Sequence, residues 1–313
     1  MMTTPLPATG FAFGKVILSG EHSVVYGHPA LVVATQLGSK AEATEVTSVP
    51  PTEALPQTEL IERFTLRIKE LFSEKFSVDV SSVSLDIKTD LPIQSGMGSS
   101  ASMAAAAFRA LAQYTQTELT NEQFFDLVQT SEREFHGNPS GVDASAVIYG
   151  GAMVFQKDDA SFERQMIGID PSAFPSFLLI QSGRPKESTK EMVAFVAERA
   201  EEDQTKEILE KIAKVTLSMI AAVKERNHDQ LLLLVDKNEL LLEQLDVVSK
   251  QTQRLIREIQ GLGGSAKISG AGGRTAGSGI ILAFHPDTSQ LKAFCDEHHL
   301  TYLQTELAQG GQL

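Results

Sequence analysis

The sequence predicts an α+β protein of two domains, on three observations. The chain has 313 residues, which is beyond the size at which a single hydrophobic core usually stops growing. Its first half mixes strand-like and helical patterns, whereas residues 187–260 consist almost entirely of helical periods. A strand–loop–strand pattern then follows. We therefore expect domains of residues 1–172 and 173–313, joined within residues 157–176.

In the first domain, alternating or β-branched runs predict strands over residues 11–18 and 30–34, separated by a turn-rich segment. Three prolines in residues 46–58 predict an exposed loop. Apolar residues at helical spacing from Leu60 to Phe72 predict an amphipathic helix, and the alternation over residues 83–88 predicts a half-buried strand.

A glycine- and serine-rich loop over residues 91–100 precedes an alanine-rich run, which predicts a helix over residues 101–112. Thr120 and Gln123 have the spacing of a capping box, which predicts a second helix over residues 121–135. The apolar run over residues 146–155 predicts a strand interrupted at Gly150 and Gly151.

In the second domain, the leucine-rich stretches between residues 231 and 242 keep no strict heptad, so they predict core faces of packed helices rather than a coiled coil. We then expect a strand over residues 266–269, a glycine-rich loop over 270–279, a strand over 280–284, a helix over 287–298 and a closing strand. No internal repeat is visible.

The composition narrows the possible partners. The net charge of −13 repels nucleic acid and anionic membrane surfaces, so neither is an expected partner. The single cysteine, Cys295, excludes a disulfide framework and a cysteine-based zinc site within one chain, and we expect a spectator thiol in a reducing compartment. The first residues lack the features of a signal peptide. We therefore expect a cytoplasmic protein.

The first chemically suggestive segment is Leu-Pro-Ile-Gln-Ser-Gly-Met-Gly-Ser-Ser-Ala-Ser, residues 91–102. Gly96 and Gly98 allow the backbone to approach a ligand closely, and Ser99 or Ser100 opens a helix whose free N–H groups suit a phosphate. The segment is not a Walker A loop because no lysine follows it. Taken alone, it is more typical of a glycine turn with a serine N-cap.

Glu132 and Asp143 form the second segment, linked through His136-Gly-Asn-Pro-Ser-Gly-Val-Asp. A carboxylate on a helix can hold Mg²⁺, and one on a loop can accept a hydroxyl proton. A solvated acidic face is the alternative. His136 is a candidate ligand or acid–base group, although a histidine before such a turn is more often structural.

The third segment runs from Lys267 to Gly279, and its many glycines indicate close contact with a ligand or a flexible hairpin. Arg274 offers a forked donor for phosphate. A fourth candidate, Lys15, lies on an apolar strand, where a lysine stays charged beside a carboxylate or phosphate or else extends to solvent from the strand edge.

The order and spacing of these segments resemble the galactokinase, homoserine kinase, mevalonate kinase and phosphomevalonate kinase (GHMP) superfamily over nearly the whole chain. The matching residues are Gly14-Lys15, Gly-Glu-His-Ser-Val-Val-Tyr-Gly at 20–27, Gly-Met-Gly-Ser-Ser-Ala at 96–101 and Gly-Ala-Gly-Gly at 270–273. The segments at 21–27 and 136–143 resemble the mevalonate kinase branch. The resemblance implies an N-terminal domain like domain 2 of ribosomal protein S5, a ferredoxin-like C-terminal domain, and an active site in the cleft between them.

The resemblance also implies residue roles in the ATP- and Mg²⁺-dependent phosphorylation of mevalonate, a step of isoprenoid biosynthesis. Asp143 matches the catalytic aspartate and Lys15 the lysine that pairs with it. Glu132 and either Ser99 or Ser100 match the Mg²⁺ ligands. The ATP phosphate loop matches Gln94, Ser95, Gly96, Met97, Gly98, Ser99, Ser100 and Ala101. The substrate end of the cleft matches Glu21 and His22, and Thr189 is expected to face mevalonate from the second domain.

Two departures from the family pattern matter. The phosphate loop reads Ile-Gln-Ser-Gly-Met-Gly where Gly-Ala-Gly-Leu-Gly is common, and the C-terminal glycine motif is longer than usual. Arg274 in that motif is expected either to reach the phosphates or to point to solvent. A related kinase of another small alcohol or of phosphomevalonate stays open, as does a non-catalytic nucleotide-binding regulator, although Lys15, Glu132 and Asp143 argue against the regulator. A homodimer and feedback inhibition by isoprenoid diphosphates also stay open.

Overall fold

A computed structural model describes residues 7–45, 56–93, 95–136, 139–157, 162–171 and 174–310. The described strands form two antiparallel sheets, one in each half of the chain, and helices connect many of these strands. The predicted α+β class is therefore confirmed. Within the described residues, no helix combines the length and apolar character needed to cross a membrane.

The N-terminal sheet is built around one long strand, β2, which pairs with three others. The strand order is β1-β2-β4-β5, and β3 pairs with the far end of β2. Its strands are β1 (Ala8–Ser19), β2 (Ala30–Glu45), β3 (Val83–Thr89), β4 (Ala152–Lys157) and β5 (Phe162–Ile167). A short 3-10 turn, Ser23–Tyr26, separates the first two strands.

Among the described residues of this half, four segments are helical: α1 (Pro56–Phe76), α2 (Ser99–Thr115), α3 (Asn121–His136) and α4 (Val142–Tyr149). Helix α2 is buried along most of its length, and its alanines lie against β1 and β2. The approach is close enough that a Cβ atom on Gly10 would lie 2.0 Å from the Ala106 carbonyl oxygen. This packing fixes the N-terminal end of α2 beside β1. The predicted capping box at α3 is confirmed by reciprocal hydrogen bonds between Thr120 and Gln123.

The C-terminal sheet has the order β7-β8-β6-β9, with β6 (Phe177–Gln181), β7 (Ser265–Ser269), β8 (Ile280–Phe284) and β9 (Tyr302–Gln304). Helices α5 (Thr189–Arg199), α6 (Asp203–Lys224), α7 (His228–Gln244) and α8 (Lys250–Gly261) connect β6 to β7, and α9 (Thr288–Glu297) connects β8 to β9. This connectivity is the split βαβ arrangement of ferredoxin-like domains.

The leucine-rich helix α7 packs against α6 and β7 through buried residues that include Leu231, Leu234 and Leu242, which confirms the expected core role. The core continues into the N-terminal half, because Val16 and Leu18 of β1 belong to the same buried cluster. Cys295 is buried within α9, on the same core.

Several element predictions are wrong. Residues 142–149 form helix α4, and the strand β4 begins only at Ala152, because a short apolar run does not distinguish a buried helix from a buried strand. The expected join at residues 157–176 contains strand β5, paired with β4. Helix α1 begins at Pro56, inside the expected loop, since proline is well tolerated in a first helical turn. The domain boundary stays a prediction, and residues 172 and 173 lie outside the described residues.

Candidate active site

A buried lysine paired with a partly exposed carboxylate forms the centre of the site. Lys15, on β1, is 3% exposed, and its Nζ lies 2.8 Å from Oδ1 of Asp143, whose side chain is 39% exposed. The prediction of a charged partner for Lys15 is thus confirmed, and extension of its side chain to solvent is wrong. Asp143 lies in the first turn of α4 rather than on a loop, which is a correction. In this pair the Asp143 carboxylate is accessible to solvent, and the buried ammonium group of Lys15 stabilises its negative charge.

The phosphate loop, residues 95–100, lies directly against this pair. The Lys15 backbone N–H donates to the Met97 carbonyl at 3.0 Å. Gly98 has φ 70°, and a Cβ atom there would lie 3.2 Å from Cγ of Lys15. Helix α2 follows at once, with no acidic residue in its first turn. Its positive dipole end therefore suits an anion next to Lys15. Gln94, predicted to belong to this loop, lies outside the described residues.

The glycine loop, residues 270–279, packs on the phosphate loop through backbone contact. A Cβ atom on Gly96 would lie 2.8 Å from the Ser269 carbonyl oxygen, and one on Gly279 would lie 3.2 Å from that of Ser95. The glycines of the third segment thus serve close packing, and a flexible hairpin does not describe them. The two loops of the predicted site meet in space although they are far apart in sequence.

Glu132 on α3 forms the acidic side of the site. It is 3% exposed and accepts a hydrogen bond from the Ser100 hydroxyl. Burial raises the pKa of Glu132 to about 7, and the negative charge of Asp143 adds to the rise, while Ser100 and Lys15 oppose it. A carboxylate and a hydroxyl oxygen are hard ligands that fit Mg²⁺. Of the two serines proposed as ligands, the structure pairs Ser100 with Glu132; Ser99 is buried at the start of α2.

Glu21 and His22 are buried in the turn after β1, at 2% and 5% exposure. His22 has φ 59°, and its Nε2 lies 3.0 Å from the Ala271 carbonyl oxygen of the glycine loop. Burial lowers the pKa of His22 to about 4, so the ring is neutral at pH 7. Glu21 accepts a hydrogen bond from Lys267. Burial raises the pKa of Glu21, and the Lys267 ammonium offsets part of this effect.

Three other predicted positions behave differently. Thr189 is the exposed first residue of α5, and in the described part of the chain its side chain makes no hydrogen bond with the other site residues. Arg274 is partly exposed and paired: its Nη2 lies 2.6 Å from Oδ2 of Asp246, and its guanidinium stacks 3.9 Å from the Phe195 ring centroid, so a role toward phosphate stays a prediction. The opposite charge and the ring hold it there. The His136 side chain, with Gly137 and Asn138, lies outside the described residues.

Sequence reasoning missed the buried polar residues beneath the site. Lys267 on β7 and Glu239 on α7 are both fully buried, and Ser269 accepts a hydrogen bond from the Ile17 N–H. Lys267 carries the same signal as Lys15, a lysine within an apolar strand. That signal could have identified it as a buried, paired cation.

A known protein family matches the part of the chain that forms much of this site. The family model described as the GHMP kinases N terminal domain matches residues 60–151, which contain the phosphate loop, Glu132 and Asp143. Residues 60–151 of this chain are thus similar to the N-terminal domain of GHMP kinases. Among the curated relatives of this chain, the mevalonate kinase of Archaeoglobus fulgidus is 29% identical, over 88% of this chain and 93% of that protein. The mevalonate kinase of Methanocaldococcus jannaschii is also 29% identical, over 86% of this chain and 89% of that protein.

Solved structures agree on the fold. The structure of L. major mevalonate kinase in complex with R-mevalonate superposes with a TM-score of 0.80 and 24% identity, covering 99% of this chain and 98% of that chain. The Methanococcus jannaschii mevalonate kinase gives a TM-score of 0.79 and 23% identity, covering 99% of this chain and 100% of that chain. The two-domain GHMP kinase fold is therefore confirmed.

Proposed function

We propose that this protein is a mevalonate kinase, which transfers the γ-phosphoryl group of ATP to the 5-hydroxyl of mevalonate and so supplies 5-phosphomevalonate for isoprenoid biosynthesis. The observation that carries the proposal is the Lys15–Asp143 pair beside a phosphate loop. Relatives named mevalonate kinase, matched over more than four fifths of the chain, support the choice of substrate.

The proposed chemistry needs mainly positioning and charge neutralisation. Asp143, with its partly exposed carboxylate, orients the substrate hydroxyl and accepts its proton. Lys15, held 2.8 Å away, stabilises the negative charge that develops on the hydroxyl oxygen. Because Lys15 is buried, its ammonium is fixed before substrate arrives, so little reorganisation is required during the reaction.

The nucleotide is proposed to bind with its phosphates on the phosphate loop and the first turn of α2. Glu132 and Ser100 are the residues that would hold Mg²⁺, whose charge, when bound, neutralises the phosphate oxygens. Ser99, buried at the same turn, contributes to the loop that receives the phosphates. The glycine loop packs behind this region and limits its movement.

Binding of mevalonate is proposed at the turn that carries Glu21 and His22. Both side chains are buried and engaged with the second half of the chain, so we assign them the role of shaping this wall of the pocket. The position of Thr189 at the exposed start of α5 leaves it as a proposed substrate contact. The cytoplasmic location and the homodimer stay predictions.

A substrate panel tests the proposed function. ADP release by the purified protein should be stimulated by mevalonate in the presence of ATP and Mg²⁺, and much less by phosphomevalonate, homoserine or galactose. If one of those three compounds stimulates turnover and mevalonate does not, the substrate assignment is wrong. If no acceptor stimulates ADP release although the protein binds ATP, the non-catalytic alternative gains support.

A further inference from the structure

Two side chains of strand β7 form hydrogen bonds with the backbone of β1, the strand that carries Lys15. The Ser269 hydroxyl accepts a hydrogen bond from the Ile17 N–H at 2.9 Å, and Lys267 Nζ donates to the Ile17 carbonyl at 3.2 Å. Residues 267 and 269 lie on the same face of β7 because side chains alternate along a strand. We call Lys267 and Ser269 the β7 clamp. The clamp binds both backbone polar groups of Ile17, the N–H and the C=O, only two residues beyond Lys15.

The clamp acts beside one of the irregularities in the pairing of β1 with its own sheet. The pairing of β1 with β2 is irregular between Ile17 and Ser19, so the ladder does not hold this end of the strand uniformly. Hydrogen bonds from β7 provide the missing constraint. The strand that positions Lys15 is thus fixed by the other half of the chain.

Lys267 is held in a single geometry. It is fully buried, and its ammonium group donates to three oxygens, those of the Ile17 and Ile268 carbonyls and the Glu21 carboxylate. An ammonium has three N–H donors, so every donor is satisfied. Glu239 reinforces the arrangement, since its Oε2 accepts the Ile268 N–H at 2.8 Å. A side chain this enclosed cannot touch substrate and acts only through the groups it binds.

The charges around the clamp alternate toward the reactive pair. Glu21 faces Lys267 directly and also feels the positive charge of Lys15, which is bonded to Asp143. Glu21 is thus paired with Lys267, and the positive charge of Lys15 makes a smaller contribution. Loss of Lys267 would remove the cation paired with Glu21 and the donor that holds the Ile17 carbonyl, so both supports of β1 near Lys15 would weaken.

We propose that Lys267 is a positioning residue for phosphoryl transfer, which holds Ile17 and Glu21 so that β1 keeps Lys15 against Asp143. Ser269 provides the second half of the same constraint. This inference rests on the proposed function, because the rate it affects is that of phosphorylation.

Substitution at both clamp positions tests the proposal. In Lys267→Met the kcat for mevalonate should fall about 10- to 100-fold, as for a reactive group displaced by about an ångström, while the KM for ATP changes less than about threefold. Ser269→Ala should lower kcat by a smaller factor, and Ser269→Thr, which keeps the hydroxyl, should restore it. Ser265→Ala is the matched control, since Ser265 bonds Asp236 at the start of β7, and its kcat should equal that of the wild type.

Folding and substrate choice are controlled separately. If Lys267→Met does not fold, the double variant Glu21→Gln/Lys267→Met, which leaves no unpaired buried charge, replaces it. A folded Lys267 variant with kcat within about twofold of wild type overturns the proposal, and so does a crystal structure of it in which Lys15 and Asp143 keep their 2.8 Å contact. The crystal structure also decides the matter if the wild type proves inactive on mevalonate, a result that would refute the proposed function alone.

Discussion

Replacing Asp143 by asparagine perturbs the proposed chemistry with the least structural change. The substitution preserves side-chain shape and a carbonyl oxygen that can still accept from Lys15, 2.8 Å away, but it removes charge and basicity. Lys15 is buried but the Asp143 side chain is 39% exposed, and the asparagine oxygen still accepts from Lys15, so the free energy of unfolding should fall by about 1–3 kcal/mol. The folded state should therefore persist.

The expected catalytic effect is larger than this structural effect. A positioned base contributes about 10²–10⁴ in rate, which corresponds to roughly 3–5 kcal/mol of transition-state stabilisation. The kcat of Asp143→Asn for mevalonate should fall by that factor, while the affinity for an ATP analogue, measured by calorimetry, should stay close to that of the wild type. The Tm should decrease by only a few degrees.

Glu134→Gln provides a matched control. Glu134 is a carboxylate on α3 whose exposure is similar to that of Asp143. It is ion-paired with Arg67 at 2.6 Å and is not one of the residues assigned to the site. Its kcat should remain within about twofold of the wild-type value. If a well-folded Asp143→Asn protein turns over at more than about a tenth of the wild-type rate, general-base catalysis by Asp143 is refuted, and the chemistry must rest on Lys15 and the bound metal.

Three further predictions follow from the described contacts. Glu132→Gln should raise the Mg²⁺ concentration needed for half-maximal activity more than it weakens nucleotide binding, and an unchanged Mg²⁺ titration would remove Glu132 from the metal site. Gly98→Ala should lower kcat by about tenfold, because the new Cβ would contact Lys15 closely and because residue 98 has φ 70°, which favours glycine. Wild-type kinetics would show that the loop tolerates the strain. Burial raises the pKa of Glu239 from 4.5 to about 8, so its contribution to stability is complete below pH 4.5 and is lost as the pH rises through 8. Glu239→Gln should therefore flatten the decrease in Tm across this window, and an unaltered pH profile would contradict the assignment.

Much of the architecture follows from local sequence patterns. The strands at β1, β3 and β8 and the helices α3 and α7 were predictable from alternation, helical spacing and capping residues. Helix α4 was not, because its eight residues are almost all apolar and buried, so they carry neither helical nor strand periodicity. Glycine contacts such as Gly96 against Ser269 depend on chain segments far apart in sequence, which local patterns do not reveal.

The candidate site divides in the same way. Lys15 and Asp143 were predictable as partners from the superfamily resemblance, together with the cost of burying an unpaired lysine. The Lys267–Glu21 pair was not, because its partners come from β7 and the turn after β1, and only the folded chain brings them together. The contacts of the Arg274 guanidinium with Asp246 and Phe195 were likewise not predictable, since these partners lie far from it in sequence.

The most direct test of the central claim is identification of the reaction product by ³¹P NMR. Wild-type protein incubated with ATP, Mg²⁺ and mevalonate should consume the ATP γ-phosphate signal and produce, in equal amount, ADP and a phosphomonoester signal that matches 5-phosphomevalonate. The Asp143→Asn variant should show this conversion at a strongly reduced rate. Accumulation of inorganic phosphate alone, or unchanged ATP in a folded wild-type protein that binds the nucleotide, would contradict the account.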